Sequence, residues 1–128
     1  MKAMIVDDDN ISLMTLKTLL KAHKIYPKLS RTGLEAIRSH LQYDHDIIFI
    51  DIGLPDITGV EIAKLIRHYE KNKLLTRTYI VGVSAHCALQ NKEKSLFDVF
   101  FNKPVASVQL SKVVNLLNKK EDYTTTEW

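Results

Sequence analysis

Acidic, hydroxyl and lysine side chains stand after four apolar runs of this 128-residue chain. They are Asp7-Asp8-Asp9, Asp51, Ser84 and Lys103. Carboxylates crowded in one place repel one another unless a cation neutralises them. Oxygen ligands without His or Cys at ligand spacing suit Mg²⁺, which leaves coordination positions for phosphoryl oxygens. We therefore expect a Mg²⁺ site for phosphoryl chemistry, in which one carboxylate acts as the nucleophile and becomes an aspartyl phosphate.

The apolar runs that precede these residues alternate with segments of helical spacing. Runs rich in β-formers at 3–6, 25–30, 46–50, 78–83 and 99–101 predict five strands. Strands that alternate with helices predict parallel pairing with right-handed crossovers. Because the carboxyl ends of parallel strands lie at one edge of the sheet, the polar side chains should converge there.

The predicted fold class is α/β, a doubly wound five-stranded parallel sheet in a three-layer sandwich. The almost entirely apolar run at 46–50 predicts a sheet that is covered on both faces. Pro27 lies in the second run and cannot donate a ladder hydrogen bond, so that strand belongs at an edge. The flavodoxin-like strand order 2-1-3-4-5 places it there.

Capping patterns and apolar stripes predict the helices. Thr32 with Glu35, and Thr58 with Glu61, each match a capping box and mark two helix starts. A short fourth helix is expected between 91 and 96, and the charged run 67–73 is expected to be a solvated helix end. Apolar residues at helical spacing predict the buried faces: Leu13, Leu16 and Leu20; Leu34, Ile37 and Leu41; Ile62, Leu65, Ile66 and Tyr69; Leu110, Val113, Val114 and Leu117.

Composition and charge exclude several classes of protein. With 45% hydrophobic and 26% charged residues, the chain has an ordinary globular composition and is neither disordered nor fibrous. Lys and Arg are scattered despite the net charge of +3, so no nucleic-acid interface is expected. The single Cys87 cannot form an internal disulfide and fits a reducing compartment. No apolar run is long enough to cross a bilayer, so we expect a cytoplasmic domain without direct membrane contact.

Taken in order, these residues resemble the receiver domain of two-component response regulators. The resemblance extends from residue 2 to about 119, so we expect a receiver domain over 1–119, followed by a flexible polar tail over 120–128. The matching stretches are MIVDDD at 4–9, IDIGLPDITG at 50–59, VSA at 83–85 and NKPV at 102–105.

The resemblance implies a role for each residue of the predicted metal and phosphoryl site. Asp51 is the phosphoacceptor. Asp8 is a direct Mg²⁺ ligand, Asp7 acts on the metal largely through water, and the backbone carbonyl of Gly53 completes the protein ligands. Lys103 is the phosphate-binding lysine, and the peptide bond that follows it, to a proline, is expected to be cis.

The resemblance also implies a conformational switch. Ser84 and Phe100 occupy the two switch positions of the family, and the aromatic ring turns inward when the serine moves toward the phosphoryl group. Phe101 should face the opposite side of the sheet. His86 stands at a position similar to those that tune the lifetime of the phosphoryl group. Residues 96–98 depart from the family, because Leu-Phe-Asp replaces the usual Gly-Ala-Asp or Gly-Met-Asp turn.

No ATP-binding segment is present, so we expect the phosphoryl group to come from another protein or from a small phosphodonor. The resemblance implies that the protein donor is a histidine kinase or a histidine phosphotransfer domain. The chain would then catalyse its own phosphorylation rather than act as a classical enzyme. Its motifs are most similar to the receivers of hybrid sensor histidine kinases, which leaves open that it is the cytoplasmic portion of a membrane-bound kinase. A weak homodimer is also left open.

Two other functions stay open at this point. One is a small phosphohydrolase of the haloacid-dehalogenase-like type, which also uses an aspartate nucleophile and Mg²⁺. That alternative lacks a late acidic pair and leaves Asp51 without a role. The other is a receiver-like scaffold that binds partners without being phosphorylated.

Overall fold

Strands and helices alternate along the chain as the sequence predicts. A computed structural model describes residues 1–73, 77–85, 89 and 91–126. The elements, in chain order, are β1 (Ala3–Val6), α1 (Asn10–Lys21), β2 (Lys28–Ser30), α2 (Gly33–Tyr43), β3 (Ile47–Asp51), α3 (Gly59–Lys73), β4 (Tyr79–Ser84), α4 (Asn91–Lys94), β5 (Val99–Asn102) and α5 (Ser107–Thr126). The predicted short fourth helix is therefore present.

The five strands form one parallel sheet in the order β2-β1-β3-β4-β5, which confirms the predicted topology. The central strand β3 is buried along its whole length, as expected for a strand covered by helices on both faces. Asp51 is the last residue of β3 and pairs in register with Val83 of β4. The sheet thus brings the ends of β1, β3 and β4 side by side.

The edge strand β2 is shorter than predicted, because it begins at Lys28, after Pro27. The backbone N–H of Ile25 donates to the carbonyl of Leu20, so Ile25 belongs to the turn that ends α1. Lys24, in the same turn, has a φ of 60°. Since Pro27 has no N–H to donate, the ladder can start only beyond it.

Two apolar layers cover the sheet and make the molecule a three-layer sandwich. Helices α1 and α5 bury the stripes predicted for them on one face: Leu13, Leu16, Leu20, Leu110, Val113 and Val114. On the other face α2 and α3 bury Ala36, Ile62, Ala63 and Ile66. The predicted fold class is confirmed.

The buried face of α2 differs from the prediction. Leu34 is 48% exposed and Leu41 is 50% exposed, whereas Ala36, Ser39 and His40 are buried. A search for apolar residues at helical spacing misses this face, because Ser39 and His40 are polar. Small side chains let α2 lie close to the sheet, and the ring of His40 is hydrogen-bonded there, since its Nδ1 accepts from the backbone N–H of His45 at 3.1 Å.

The predicted stripe of α3 is also partly wrong, because Leu65 is 48% exposed. Ala63 is fully buried in its place. Leu65 instead lines a groove between α2 and α3 of about 300 Å³, together with Ile37, Leu41 and Tyr69. The apolar side chains of this part of the fold therefore divide between the core and a surface groove.

The charged run 67–73 is not wholly a solvated helix end as predicted. The side chain of Arg67 is 11% exposed and that of Glu70 is 9% exposed. Arg67 donates to Glu70, to the carbonyls of Leu96 and Thr78, and to the carboxylate of Asp98, at distances between 2.7 and 3.3 Å. Both charges are buried because each finds several partners, a condition that a sequence pattern does not reveal.

Threonine side chains cap α2 and α3 as predicted. Thr32 Oγ1 accepts from the backbone N–H of Glu35 at 3.2 Å, and Thr58 Oγ1 accepts from that of Glu61 at 3.2 Å. The carboxylate of Glu35 accepts from the backbone N–H of Arg31. The return bond of this capping box therefore reaches one residue further back than the usual pattern.

Helix α5 extends to Thr126, past the predicted domain end at 119. The flexibility of residues 120–128 stays a prediction. Among the described residues, none of the helices is both long and apolar enough to span a bilayer.

Candidate functional site

The carboxylates of Asp7, Asp8 and Asp51 meet at the carboxyl edge of the sheet. Asp7 directly follows β1 and Asp51 ends β3, and these two strands are neighbours. One oxygen from each of the three carboxylates lies within 4.8 Å of the others. This set of oxygen donors matches the ligand preference of a hard divalent cation such as Mg²⁺. The convergence predicted from the sequence is present in the structure.

Asp7 forms the buried floor of this cluster, with only 2% of its surface exposed. Its Oδ1 accepts from the backbone N–H of Asp9 at 3.0 Å, and its Oδ2 lies 2.9 Å from Lys103 Nζ. Burial raises the pKa of Asp7 above its ordinary value, although these two contacts act in the opposite direction. A cation bound beside Asp7 would favour its ionised form.

Lys103 brings a positive charge to two of the three carboxylates. Its Nζ lies 2.9 Å from Asp7 Oδ2 and 3.4 Å from Asp51 Oδ1. Partial burial lowers the pKa of Lys103, but the hydrogen bond and charge of Asp7, with those of Asp51, outweigh this effect and raise it. The backbone N–H of Lys103 donates to the carbonyl of Ser84 at 3.0 Å, and the Lys103–Pro104 peptide bond is cis, as predicted.

Asp9 caps helix α1, whereas its acidic neighbours Asp7 and Asp8 belong to the carboxylate cluster. Its Oδ2 accepts from the backbone N–H of Ser12 at 3.0 Å and from the hydroxyl of Ser12 at 2.9 Å. Both bonds cap the N-terminus of α1 and lower the pKa of Asp9. The acidic run therefore divides into a buried acid, an exposed acid at the cluster and a helix cap.

The loop after β3 packs closely against the backbone of Asp51. A Cβ at Gly59 would lie 2.8 Å from the carbonyl oxygen of Asp51, so only glycine fits at the start of α3. Gly53 is exposed, and its backbone N–H donates to Asp51 Oδ1 at 3.4 Å. The predicted phosphoacceptor and the predicted carbonyl ligand thus lie in one short segment.

Ser84 and Phe100 lie on the neighbouring strands β4 and β5. Ser84 is buried at the end of β4 and pairs in register with Asn102. The ring of Phe100 lies over Gly82, where a Cβ would come within 2.5 Å of its Cε1. Phe101 faces the other layer, as predicted, with its ring centroid 6.4 Å from that of Phe49.

Two features of this region were not predicted from the sequence, and one predicted residue lies outside the part of the chain that the structure describes. Gly82 makes the space that Phe100 occupies, and a glycine inside a strand is the signal for such close packing. Asp56 accepts from the backbone N–H groups of Gly33 and Leu34, which the sequence could not indicate because the two segments are far apart in the chain. His86 lies outside the described residues.

The unusual turn at 96–98 is held by the side chain of Asp98. Its Oδ2 accepts from the backbone N–H of Ile80 at 2.7 Å, and its own N–H donates to the carbonyl of Ile80 at 2.8 Å. Phe97 is buried, with its ring centroid 4.8 Å from that of Phe100. The departure from the family pattern therefore adds an aromatic neighbour to the predicted switch residue.

The geometry suits chemistry on an anionic group. A divalent cation held by the three carboxylates, together with the ammonium of Lys103, would neutralise the cluster and place positive groups where they can pair with the oxygens of an incoming phosphoryl group. The carboxylate of Asp51 lies at the edge of the sheet, with 11% of its side chain exposed. Phosphoryl transfer requires mainly such positioning and charge neutralisation.

Comparison with known protein families gives one consistent answer. A family model described as "Response regulator receiver domain" matches residues 3–115. The sensor histidine kinase AtsR of Burkholderia thailandensis is 36% identical over 116 residues, which cover 90% of this chain. The chain spans only 19% of the length of that kinase.

Solved structures agree with this result. The receiver domain of the Saccharomyces cerevisiae response regulator Ssk1, in complex with the histidine phosphotransfer protein Ypd1, matches with a TM-score of 0.79 and 30% identity over 88% of this chain and 84% of that chain. TrrA from Thermotoga maritima, in complex with Mg²⁺ and BeF, matches with a TM-score of 0.79 and 23% identity over 91% of this chain and 97% of that chain, which shows the fold alone. Neither the phosphohydrolase nor the scaffold alternative finds support in these comparisons.

Proposed function

Because the chain belongs to the family of response regulator receiver domains of two-component signalling, we propose that Asp51 accepts a phosphoryl group from a phosphohistidine. The observation that supports Asp51 most strongly is its position beside Lys103. This ammonium lies 3.4 Å from Asp51 Oδ1 and 2.9 Å from Asp7 Oδ2, so the same lysine contacts both the proposed acceptor and the buried acid of the cluster.

The proposed transfer is a single displacement at phosphorus. A carboxylate oxygen of Asp51 forms a bond to phosphorus while the bond between phosphorus and the histidine nitrogen breaks, and the electron pair stays on the imidazole. The product is an acyl phosphate on Asp51. Lys103 pairs with one phosphoryl oxygen, and the hydroxyl of Ser84 donates a hydrogen bond to another.

The donor set fits Mg²⁺ as the metal of this site. Carboxylate oxygens of Asp7, Asp8 and Asp51 and the carbonyl oxygen of Gly53 would hold it, with Asp7 acting largely through water. When bound, Mg²⁺ supplies charge neutralisation for the carboxylates and for the phosphoryl oxygens. Asp7, whose pKa is raised by burial, keeps its bonds to Asp9 and Lys103 and orients the cluster.

Ser84 and Phe100 form the proposed switch. Phosphorylation of Asp51 draws the Ser84 hydroxyl toward the new phosphoryl oxygens, and Phe100 responds because it lies on the adjacent strand. The ring of Phe100 packs on Gly82 and Phe97, so its movement would change the surface of α4, β5 and α5. The packing of two rings makes this element capable of discrete arrangements.

A histidine phosphotransfer domain is the partner that we propose for the exposed apolar face of α1. Ile11 is 77% exposed and Met14 is 50% exposed, one turn apart at the end of the helix nearest the acidic cluster. The Ssk1 receiver domain, 30% identical to this chain, was solved with such a partner. A histidine kinase domain is the second candidate donor, because AtsR is a sensor histidine kinase.

Other expectations from the sequence stay predictions. These are the cytoplasmic location, the lack of nucleic-acid and direct membrane contact, a weak homodimer, and membership of a hybrid kinase.

Intact-mass measurement tests the proposed function. The wild-type chain is incubated with acetyl phosphate and Mg²⁺, and the Asp51→Asn variant is treated in parallel. We expect a gain of one phosphoryl mass in the wild type, and loss of this gain after hydroxylamine, which cleaves acyl phosphates. An equal gain in Asp51→Asn, or no gain in a folded wild type, would contradict the proposal.

A further inference from the structure

The loop between β3 and α3, residues 52–58, is attached to the sheet at its start and is closed by a hydrogen bond between its two ends. The backbone N–H of Ile52 donates to the carbonyl of Val83 at 3.1 Å, and that of Gly59 donates to the carbonyl of Ile52 at 3.2 Å. The buried side chain of Leu54 anchors the loop to the core. These contacts fix the start and the end of the loop.

A third attachment comes from Asp56 and reaches a different helix. Asp56 Oδ1 accepts from the backbone N–H of Gly33 at 3.0 Å, and Oδ2 accepts from the backbone N–H of Leu34 at 3.2 Å. These donors belong to the first turn of α2, where backbone N–H groups have no partner within the helix. The carboxylate thus uses both oxygens to attach the loop to α2.

Close packing beside this contact shows that the loop must lie directly against the start of α2. A Cβ at Gly33 would lie 2.9 Å from the Cβ of Ile57, so a larger residue at 33 would push the loop away. The hydrogen bond from Gly33 also lowers the pKa of Asp56, followed in effect by that from Ile57. The carboxylate is therefore charged when it meets the positive end of the α2 dipole.

Gly53 lies between these attachments, and its own contact is the long hydrogen bond from its backbone N–H to Asp51 Oδ1 at 3.4 Å. It is exposed, and nothing lies within 4 Å of the place where its Cβ would be. The direction of its carbonyl therefore depends on how the loop is held on both sides. Ile52 holds one side, and Leu54 and Asp56 hold the other.

We propose that Asp56 is a positioning residue that holds the Gly53 carbonyl in place for the cation of the phosphoryl site. The inference rests on the cation site of the proposed function and extends it to α2. Groups that orient metal ligands through hydrogen bonds commonly contribute tenfold or more to metal affinity. Asp56 acts in this way through the loop backbone, without touching the cation.

Mg²⁺ titration followed by NMR tests this role in Asp56→Ala and Asp56→Asn. Asp56→Ala loses both bonds to α2, so its Mg²⁺ dissociation constant should rise about tenfold. Asn keeps one carbonyl oxygen, so Asp56→Asn should give a smaller rise. In the metal-free protein, amide hydrogen exchange of the non-proline residues in 52–58 should be faster in Asp56→Ala.

Thr32→Ala is the matched control, because the Thr32 side chain caps the same helix through the N–H of Glu35, whereas Asp56 caps it from the loop. Thermal unfolding should show that both alanine variants are folded and lose some stability. Only Asp56→Ala should weaken Mg²⁺ binding. Unchanged Mg²⁺ affinity in Asp56→Ala, or equal weakening in Thr32→Ala, would overturn the inference.

Phosphorylation of the same samples separates this inference from the proposed function. If the wild type binds Mg²⁺ and gains a phosphoryl group while Asp56→Ala binds Mg²⁺ equally well, only the positioning role is wrong. If the wild type binds Mg²⁺ but gains no phosphoryl group, the proposed function fails and the titration still decides the role of Asp56. If the folded wild type does not bind Mg²⁺, both are overturned.

Discussion

Lys103 shows how much of the site depends on single residues. Three ionised carboxylates and one ammonium leave a formal charge of about −2, which one divalent cation balances. The sequence predicts the members of this cluster because they follow neighbouring parallel strands. The sequence allows the acidic run either to cap the first helix or to join the cluster, and the structure assigns the cap to Asp9 through its bonds to Ser12.

A glycine inside a strand is a sequence signal of close packing, but the sequence alone does not show which side chain packs on Gly82. The absence of a side chain at Gly82 makes room for the aromatic ring of Phe100. A Cβ at this position would lie 2.5 Å from Phe100 Cε1 and 3.1 Å from Phe97 Cδ1. The pairing of residues 82 and 100 across β4 and β5 sets this contact. The pattern of apolar residues does not predict which residues of β4 and β5 pair with each other.

Gly82→Ala should destabilise the fold by about 1–3 kcal/mol, since overpacking forces both rings to move. It should also shift the NMR signals of Phe100. Gly53→Ala is the control for the loss of glycine, because nothing lies near its Cβ position, and its effect on stability should stay within about 0.5 kcal/mol. Equal urea midpoints for Gly82→Ala and the wild type would show that the ring does not occupy this space.

At the scale of elements, strands and capped helix starts were more predictable than helix faces. The caps at Thr32 and Thr58 are local, so short sequence patterns suffice to place them. The face of α2 depends on what packs against it. There His40 can be buried because the backbone N–H of His45 and the hydroxyl of Thr78 hydrogen-bond to its two ring nitrogens. Tertiary partners therefore decide the rotation of the helix, which the apolar spacing alone predicts wrongly.

Arg67 joins α3 to the turns that precede β4 and β5. Arg67→Ala should destabilise the fold by roughly 3–5 kcal/mol, because Glu70 and Asp98 would lose a buried partner. Arg77 is the matched control, since it contacts the same Asp98 but is 57% exposed, and Arg77→Ala should cost less than about 1 kcal/mol. Urea denaturation measures both, and equal losses would contradict the structural role of Arg67.

At the scale of the whole molecule, two histidines buried on the α2 and α3 side of the sheet should make stability depend on pH. Burial lowers the pKa of His45 from 6.5 to about 4, with the charges of His40 and Lys2 adding to the effect and those of Asp46 and Asp44 opposing it. The neutral ring is thus favoured in the folded state. Its contribution to stability is complete above pH 6.5 and is lost as the pH falls toward 4.

The free energy of unfolding should fall by at most about 3 kcal/mol across this window on account of His45. Asp7 acts in the opposite direction, because burial raises its pKa. His45→Phe, which keeps a ring stacked on His40, isolates the effect of the histidine. Urea titrations from pH 7.5 to 4 should show a weaker pH dependence in this variant, and equal slopes would contradict the prediction.

The sheet order, the layers and the convergence of the site residues follow from alternation and from the rule for parallel strand ends. Contacts between segments far apart in the chain could not be predicted in this way, and the bonds from Asp56 to α2 are one example. The sequence thus predicts which residues come together at the candidate site better than it predicts which residues hold them in place.

The most direct measurement for the central claim is to locate the acyl phosphate chemically. After phosphorylation with acetyl phosphate and Mg²⁺, borohydride reduces an aspartyl phosphate to homoserine, which peptide mass spectrometry assigns to a position. We predict homoserine at position 51 and unmodified Asp7 and Asp8. Homoserine at another aspartate, or none at 51 in protein that carries the phosphoryl mass, would contradict the account.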